Sequence, residues 1–292
     1  MKIYDCTTFH SEHMMMDVRF NALNEHIHKF IVVESLFSHS GEKKKLNFDI
    51  NNYPKFKDKI IYLVIDREPD DLINPLNENI QYKRINSIKR IELSYDFMMS
   101  EIKKLSDNDL IILSDNDEIP NLDSTQFKDS NSDIYIFKQL FFYYKFNLLY
   151  DRMYWFGSKA CTKKKLKSLS WLRNLKNKKY PFWRVDTFFS KTKSSSLKII
   201  NDGGWHFTNV MSAENLYTKM TNFGHHDEFE LSKLSVEDLK IKINQGLVFY
   251  DHFAGQEDKN KWEFNYKLKK ISDNLLPDSL IKDKIKLKEW FN

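Results

Sequence analysis

Apolar residues at Met16, Phe20, Leu23 and Ile27 recur at helical spacing, and directly after them Phe30 to Val33 runs unbroken to Glu34. The first pattern predicts an amphipathic helix and the second a buried strand. Ile60 to Ile65 repeats the strand pattern. It leads through a polar loop rich in Pro and Asn to a stripe of Ile88, Ile91, Tyr95, Met98, Ile102 and Leu105, which predicts a long second helix. A third apolar run, Leu110 to Leu113, passes straight into Ser114, Asp115, Asn116, Asp117 and Glu118 before Pro120. Strands alternating with helices predict an α/β fold with a mixed, mostly parallel central sheet covered on both faces. Ligands of such sheets gather beyond the carboxyl ends of the strands, where Glu34, Asp66 and Asp115 stand.

After Pro120 the pattern changes. Ile134 to Phe137 and Leu140 to Tyr144 predict aromatic strands that extend the same sheet. Lys163 to Arg173 is basic, with Leu166, Leu169, Leu172 and Leu175 three apart, and predicts a surface helix; a further helix begins near Ser212. From Lys259 onward, lysines interleave with Trp262, Phe264, Tyr266 and Leu268, which predicts an amphipathic helical extension over 259–292 packed on the domain.

The acidic strand end carries the clearest chemistry. In an extended chain residues two apart point to one side, so Asp115 and Asp117 present both carboxylates to the same space. At about 5.5 Å and an effective dielectric near 20 they repel by about 3 kcal/mol, which a bound divalent cation reverses. Oxygen ligands alone point to Mg²⁺ or Mn²⁺. The alternative is a strand-to-turn junction, since Asp and Asn are turn formers. In Gly203-Gly204-Trp205-His206-Phe207 two glycines permit close backbone approach to a ligand, and His206 suits a metal shell or a phosphate contact, or else a hydrogen-bonded core position. His225, His226, Asp227 and Glu228 offer general-base or acceptor contacts, or form a solvated loop.

Composition narrows the class. A chain of 292 residues that is 41% hydrophobic and 15% aromatic is globular rather than disordered. Its net charge of +5 comes from scattered lysines, which argues against a nucleic-acid partner. Cys6 and Cys161 match no zinc spacing and are expected to be reduced. Neither a signal peptide nor an apolar run of spanning length is visible, so the expected setting is the cytoplasm of a bacterium or virus-infected cell. The basic face from Lys163 to Lys179 leaves a peripheral membrane contact open. P-loop, dinucleotide and nucleophile-elbow signatures are missing.

Tyr4-Asp-Cys-Thr-Thr-Phe9, Met16-Asp-Val-Arg-Phe-Asn-Ala-Leu23, Phe30-Ile-Val-Val-Glu-Ser35 and Ser40-Gly-Glu-Lys-Lys-Lys-Leu46 are followed by Ser114 to Pro120 and Gly203 to Phe207. In order and spacing these resemble glycosyltransferase family 17, the family of β-1,4-mannosyl-glycoprotein 4-β-N-acetylglucosaminyltransferase, over most of the chain. The resemblance implies a GT-A-type, Rossmann-like single domain whose Asp-x-Asp element holds Mn²⁺ or Mg²⁺ on a UDP-sugar. The implied reaction is inverting transfer, with N-acetylglucosamine as the expected sugar, to a glycan or glycolipid in β-linkage. The domain is expected over residues 1–258, with a donor-binding half to about 120 and an acceptor half beyond it.

Residue by residue, the resemblance implies Asp117 as direct metal ligand, Asp115 on the metal, its water or the ribose, and His206 as third ligand or pyrophosphate contact. Arg90 is expected at the donor phosphates and Glu34 at the nucleoside. The general base is expected among Glu118, Asp202, Asp227 and Glu228, stacking on sugar faces by Trp205 and Trp183, and a structural ion pair between Arg19 and Asp17. A metal-dependent phosphodiesterase or nuclease, and a catalytically silent carbohydrate-binding protein, are the competing classes.

Overall fold

The computed structural model of the protein describes residues 1–73, 80–181, 183, 190, 192–222, 229–230, 232–255 and 258–292. Its first half alternates β1 (Ile3–Phe9), α1 (His13–Leu23), β2 (Lys29–Ser35), β3 (Ile60–Ile65), α2 (Ile80–Ile102) and β4 (Leu110–Leu113). Next come β5 (Glu118–Pro120), α3 (Thr125–Lys128), β6 (Ile134–Phe137), β7 (Leu140–Tyr143), β8 (Leu148–Leu149) and β9 (Lys159–Thr162). The chain continues through α4 (Leu169–Arg173), β10 (Leu197–Ile200), β11 (Gly204–Thr208), α5 (Ala213–Asn222) and α6 (Val236–Gln245). It ends with β12 (Leu247–Val248), β13 (Tyr266–Lys267), β14 (Lys269–Lys270) and α7 (Asp278–Lys282).

Seven strands make the central sheet in the order β10-β6-β9-β4-β1-β2-β3. All its pairings are parallel except those of β9, which runs antiparallel to β4 and β6. The continuous apolar runs follow from burial on both faces. Phe30, Val32, Leu110 and Ile112 pack on the side of Phe20 and Leu23 from α1, while Ile31, Val33, Ile111 and Leu113 pack with Met98 and Ile102 from α2 and Leu169 and Leu172 from α4. The α/β class and the mixed, mostly parallel sheet are thus as the hydrophobic pattern predicts. Cys6 and Cys161 are buried free thiols.

Three departures have physical reasons. The hydrophobic pattern marks no strand over Ile3–Phe9, yet β1 lies between β4 and β2. Asp5, Thr7 and Thr8 break its apolar run; Asp5 is nonetheless buried because a cation from α1 reaches it, and the buried Thr7 hydroxyl donates to Thr8 O. The two aromatic strands do not extend one sheet. β6 joins the central sheet, whereas β7 enters a second sheet ordered β14-β8-β7-β11-β5. The switch falls at buried Gln139, whose side chain donates to Ser158 Oγ (3.0 Å) and Trp205 O (3.3 Å), anchoring the crossing between sheets. In the C-terminal extension helix is confined to α7 and short turns, because Pro277 and the polar residues around Ser272 interrupt the helical spacing. Leu276, Leu280 and Leu287 nevertheless join the core on the α1 side, and β14 pairs with β8. No helix among the described residues is long and apolar enough to cross a membrane.

Candidate active site

At the carboxyl end of β4 the chain does not stay extended. Glu118 N donates to Asp115 O (3.1 Å), closing a turn over Asn116 and Asp117 before edge strand β5 and its Pro120. The predicted same-side display of Asp115 and Asp117 is therefore replaced by a turn that aims each carboxylate separately. Arg19, fully buried, holds this turn by its backbone: Nη1 donates to Asp115 O (3.1 Å) and Glu118 O (2.6 Å), while Nε and Nη2 bind Asp5 at 2.8 and 2.5 Å. The expected Arg19–Asp17 pair is thus an Arg19–Asp5 pair. Asp17 instead meets Lys286 at 3.2 Å.

Glu118 is buried beneath the turn and saturated with donors. Trp155 Nε1 lies 2.6 Å from Oε1, and Oε2 accepts from Asp115 N (2.9 Å) and Arg173 Nη1 (3.0 Å). Burial opposes ionisation, but Arg173 and His206 outweigh it and hold the Glu118 carboxyl below the usual carboxylate range. A carboxylate so enclosed frames the site rather than receiving an acceptor proton. Arg173 Nη2 also donates to Asp115 Oδ2 (2.6 Å), so one guanidinium joins the buried acid to the exposed one. Half of the Asp115 side chain faces solvent in the cleft. Desolvation at the cleft floor and the Glu118 and Asp117 charges push its carboxyl up to about 6 against the pull of Arg173.

These groups border a cavity of about 650 Å³ over the carboxyl ends of β1, β2 and β4, lined by Asp115, Asp117, His206, Lys44, Arg90, Arg173 and Lys219 among others. Asp117 Oδ1 is 3.5 Å from His206 Nε2, and Oδ2 is 3.8 Å from Lys219 Nζ on α5. Burial raises the Asp117 carboxyl, but His206 and Lys219 prevail and hold it well below the usual range. The His206 ring is packed against Phe141 (4.8 Å, 9°) and Trp155 (4.6 Å, 30°), and its buried Nδ1 has no hydrogen-bond partner among the described residues.

The remaining predicted residues scatter. Arg90 lines the cavity, with Nε and Nη2 on Glu68 (2.8 and 2.9 Å) and Nη1 on His39 O (3.1 Å). Glu34 is buried behind the wall, accepting from Asn47 N (2.8 Å), Phe48 N (2.9 Å), Tyr62 Oη (2.8 Å) and Lys44, so it anchors the loop that brings Lys44 forward. Asp202 is exposed on the turn before β11, accepts from Asn121 (3.0 Å), and does not line the cavity. His225, His226, Asp227 and Glu228 lie outside the described residues. Trp205 donates Nε1 to Leu275 O (2.6 Å) and Trp183 is exposed; neither lines the cavity. Gly203 and Gly204 serve strand packing rather than a ligand: a Cβ on Gly204, at φ +107°, would stand 2.2 Å from Ile119 O.

Arg173, Trp155, Lys219 and Glu12 also line the cleft, and the sequence pattern marks none of them as site residues. Arg173 is the one arginine among the lysines of 163–179, and a planar guanidinium, unlike an ammonium, bridges two carboxylates, so that contrast was the available signal. The predicted surface helix is the short α4, which buries Leu169 and Leu172 and so turns Arg173 inward. As a metal site, the cleft provides the neighbouring carboxylates of Asp115 and Asp117 but, among the described residues, no group of three or more His, Cys, Asp or Glu placed to hold an ion. Mg²⁺ and Mn²⁺ commonly take one or two carboxylates and complete their shell with phosphate oxygens and water, and the Asp115–Asp117 pair fits that mode.

The sequence model of glycosyltransferase family 17 matches residues 1–281. No curated protein matches the chain. One similar solved structure, the inositol-1-phosphate CTP transferase from T. maritima, is 13% identical, with 56% of this chain and 71% of that chain covered and a TM-score of 0.28, a likeness too distant to inform the site.

Proposed function

Because the chain belongs to glycosyltransferase family 17, we propose that it moves N-acetylglucosamine from UDP to a hydroxyl of a glycan or glycolipid, with inversion to a β-linkage, in a GT-A-type site assisted by Mn²⁺ or Mg²⁺. The observation that carries this reading is the cleft over β1, β2 and β4. There Asp115 and Asp117 stand beside Lys44, Arg90, Arg173 and Lys219, a pairing of cation-binding oxygens with anion-binding nitrogens that suits a metal-bound diphosphate.

Asp117 and Asp115 are the residues that would hold the cation. Bound there, it supplies Lewis-acid neutralisation of the charge growing on the departing diphosphate. Arg173 keeps Asp115 in place from the buried frame of Glu118 and Trp155, so the cleft needs little reorganisation during transfer. His206, packed against two aromatic rings, fixes Asp117 in the same way. Lys44, Arg90 and Lys219 draw the anionic donor into the cleft.

Calorimetric titration with UDP-N-acetylglucosamine, with and without Mn²⁺, tests the reading. Metal-dependent binding that Asp117→Ala abolishes is expected. Absence of UDP affinity, or full metal-dependent turnover by Asp117→Ala, refutes it.

A further inference from the structure

A second cavity, of about 540 Å³, adjoins the first. The two share a wall of His10, Glu12, Asn116, Asp117 and Lys219. Its size falls in the range of about 300–1,000 Å³ typical of small-molecule sites. Beyond the wall its lining mixes Met14, Met211 and Trp290 with Asn209, Ser212 and Thr218, the combination of apolar surface and neutral hydrogen-bonding groups that suits a saccharide. Asn209 is buried and held at φ +58°, a conformation that costs free energy in a non-glycine residue and collects at functional sites.

The shared wall contains two carboxylates. Asp117 is engaged by His206 at 3.5 Å, and Lys219 stands 3.8 Å from its other oxygen. Glu12, at the N-terminus of α1, is almost as enclosed but has, among the described residues, no basic side chain within hydrogen-bond reach. Its Oε2 accepts from Asn116 Nδ2 and Ser11 N, both at 3.1 Å, which fixes the side chain across the wall. Its Oε1 stands 3.9 Å from Lys219 Nζ, beyond hydrogen-bond range. The side chain therefore has one oxygen oriented by protein and one at the junction of the two spaces. The other carboxylates proposed from sequence are buried (Glu118), remote (Asp202) or outside the described residues (Asp227, Glu228).

We propose that the second cavity receives the acceptor saccharide and that Glu12 accepts the proton of its attacking hydroxyl. This rests on the inverting transfer proposed above. The acceptor oxygen forms a bond to the anomeric carbon as the bond from that carbon to the diphosphate oxygen breaks. The diphosphate leaves with the electron pair, and the hydroxyl proton passes to Glu12 Oε1. Asn116 links the two tasks, because it lies between Asp115 and Asp117 on the turn and donates to Glu12.

The test uses the full chain with UDP-N-acetylglucosamine and Mn²⁺, with a panel of p-nitrophenyl hexosides as acceptors and donor hydrolysis followed in parallel. Glu12→Gln is expected to lower kcat for transfer by about 10²- to 10⁴-fold, the usual contribution of a general base, while calorimetric donor affinity stays within about twofold. Glu12→Asp, which keeps the carboxylate, is expected to retain more activity than Glu12→Gln at equal donor affinity. Met211→Trp, which fills the second cavity, is expected to raise the acceptor KM by at least about tenfold. Wild-type turnover with undiminished Glu12→Gln turnover overturns the assignment of Glu12, and an unchanged acceptor KM in Met211→Trp overturns that of the cavity. Loss of donor affinity together with activity in both Glu12 variants also refutes the base, since it marks a structural role. Absence of both transfer and hydrolysis in the wild-type protein refutes instead the transferase reading on which the assignment rests.

Discussion

Replacing Arg173 with Met removes the cation that joins Glu118 and Asp115 while leaving much of the side-chain volume. In the intact protein Arg173 reaches Glu118 Oε2 at 3.0 Å, Asp115 Oδ2 at 2.6 Å and Gly157 O at 3.2 Å. Glu118 is fully buried, whereas Asp115 is 50% exposed, so water can replace the lost partner at Asp115 but not at Glu118. Breaking a buried ion pair by removing one partner costs about 3–5 kcal/mol. Because Arg173 is itself 25% exposed and Trp155 still donates to Glu118, the lower end, about 3 kcal/mol, is expected. Unfolding entropy of about 2.1 cal/mol/K per residue converts that to a fall in Tm of about 5 °C for a chain of 292 residues.

The assay is thermal unfolding of wild type, Arg173→Met, and Arg173→Met combined with Glu118→Gln. If the cost is an unpaired buried charge, neutralising Glu118 returns at least half of the lost stability, because the residue left behind no longer needs a counter-ion. The pH dependence gives a second check. In the wild type Glu118 is held below its ordinary 4.5, so its contribution is complete above that value and is lost as pH falls through the folded value. Without Arg173 burial dominates and the carboxyl titrates higher, so the variant takes up a proton on acidification and its penalty is smaller at pH 5 than at pH 8. A single variant within about 1 °C of wild type, or a double variant as unstable as the single one, refutes the reasoning.

Gly157→Ala should destabilise by about 1–3 kcal/mol, since its Cβ would stand 1.8 Å from the pinned Oε1 of Glu118; denaturant unfolding with an unchanged midpoint would show that the carboxylate gives way freely. Stability should also fall on acidification between pH 6.5 and 4. Burial, with His10 and Arg90 nearby and Glu12 opposing, lowers His39 to about 4, so the unfolded chain binds the extra proton in that window and His39 alone lowers wild-type stability by up to about 3 kcal/mol, while His252, lowered by burial and His206 to about 3, adds a loss of the same sign. Asp115, raised to about 6, has the opposite sign, but half-exposure screens its contribution. Urea unfolding from pH 7.5 to 4 should show a shallower slope in His39→Asn, and an identical slope would remove His39 from the account.

The hydrophobic pattern determined the α/β class, because a sheet buried on both faces leaves unbroken apolar runs such as Phe30 to Val33 that only strands of that kind need. The acidic segment was legible for a related reason: acids following an apolar strand stand out in the chain itself, and Asp115 and Asp117 do line the cleft. Strand β1 was not legible from that pattern, since Asp5 looks like a break until Arg19 arrives from α1 to neutralise it. Nor was the division of labour among the acids. Glu118 and Asp115 are three residues apart and chemically alike, yet a single turn sends one under the floor and the other into the cavity. Arg173, Lys219 and Glu12 reach the site from α4, α5 and the start of α1, far apart in sequence. Local residue type specifies which groups can carry charge; only tertiary packing, by setting burial and the distance to opposite charges, decides which of them frame the cleft and which face it.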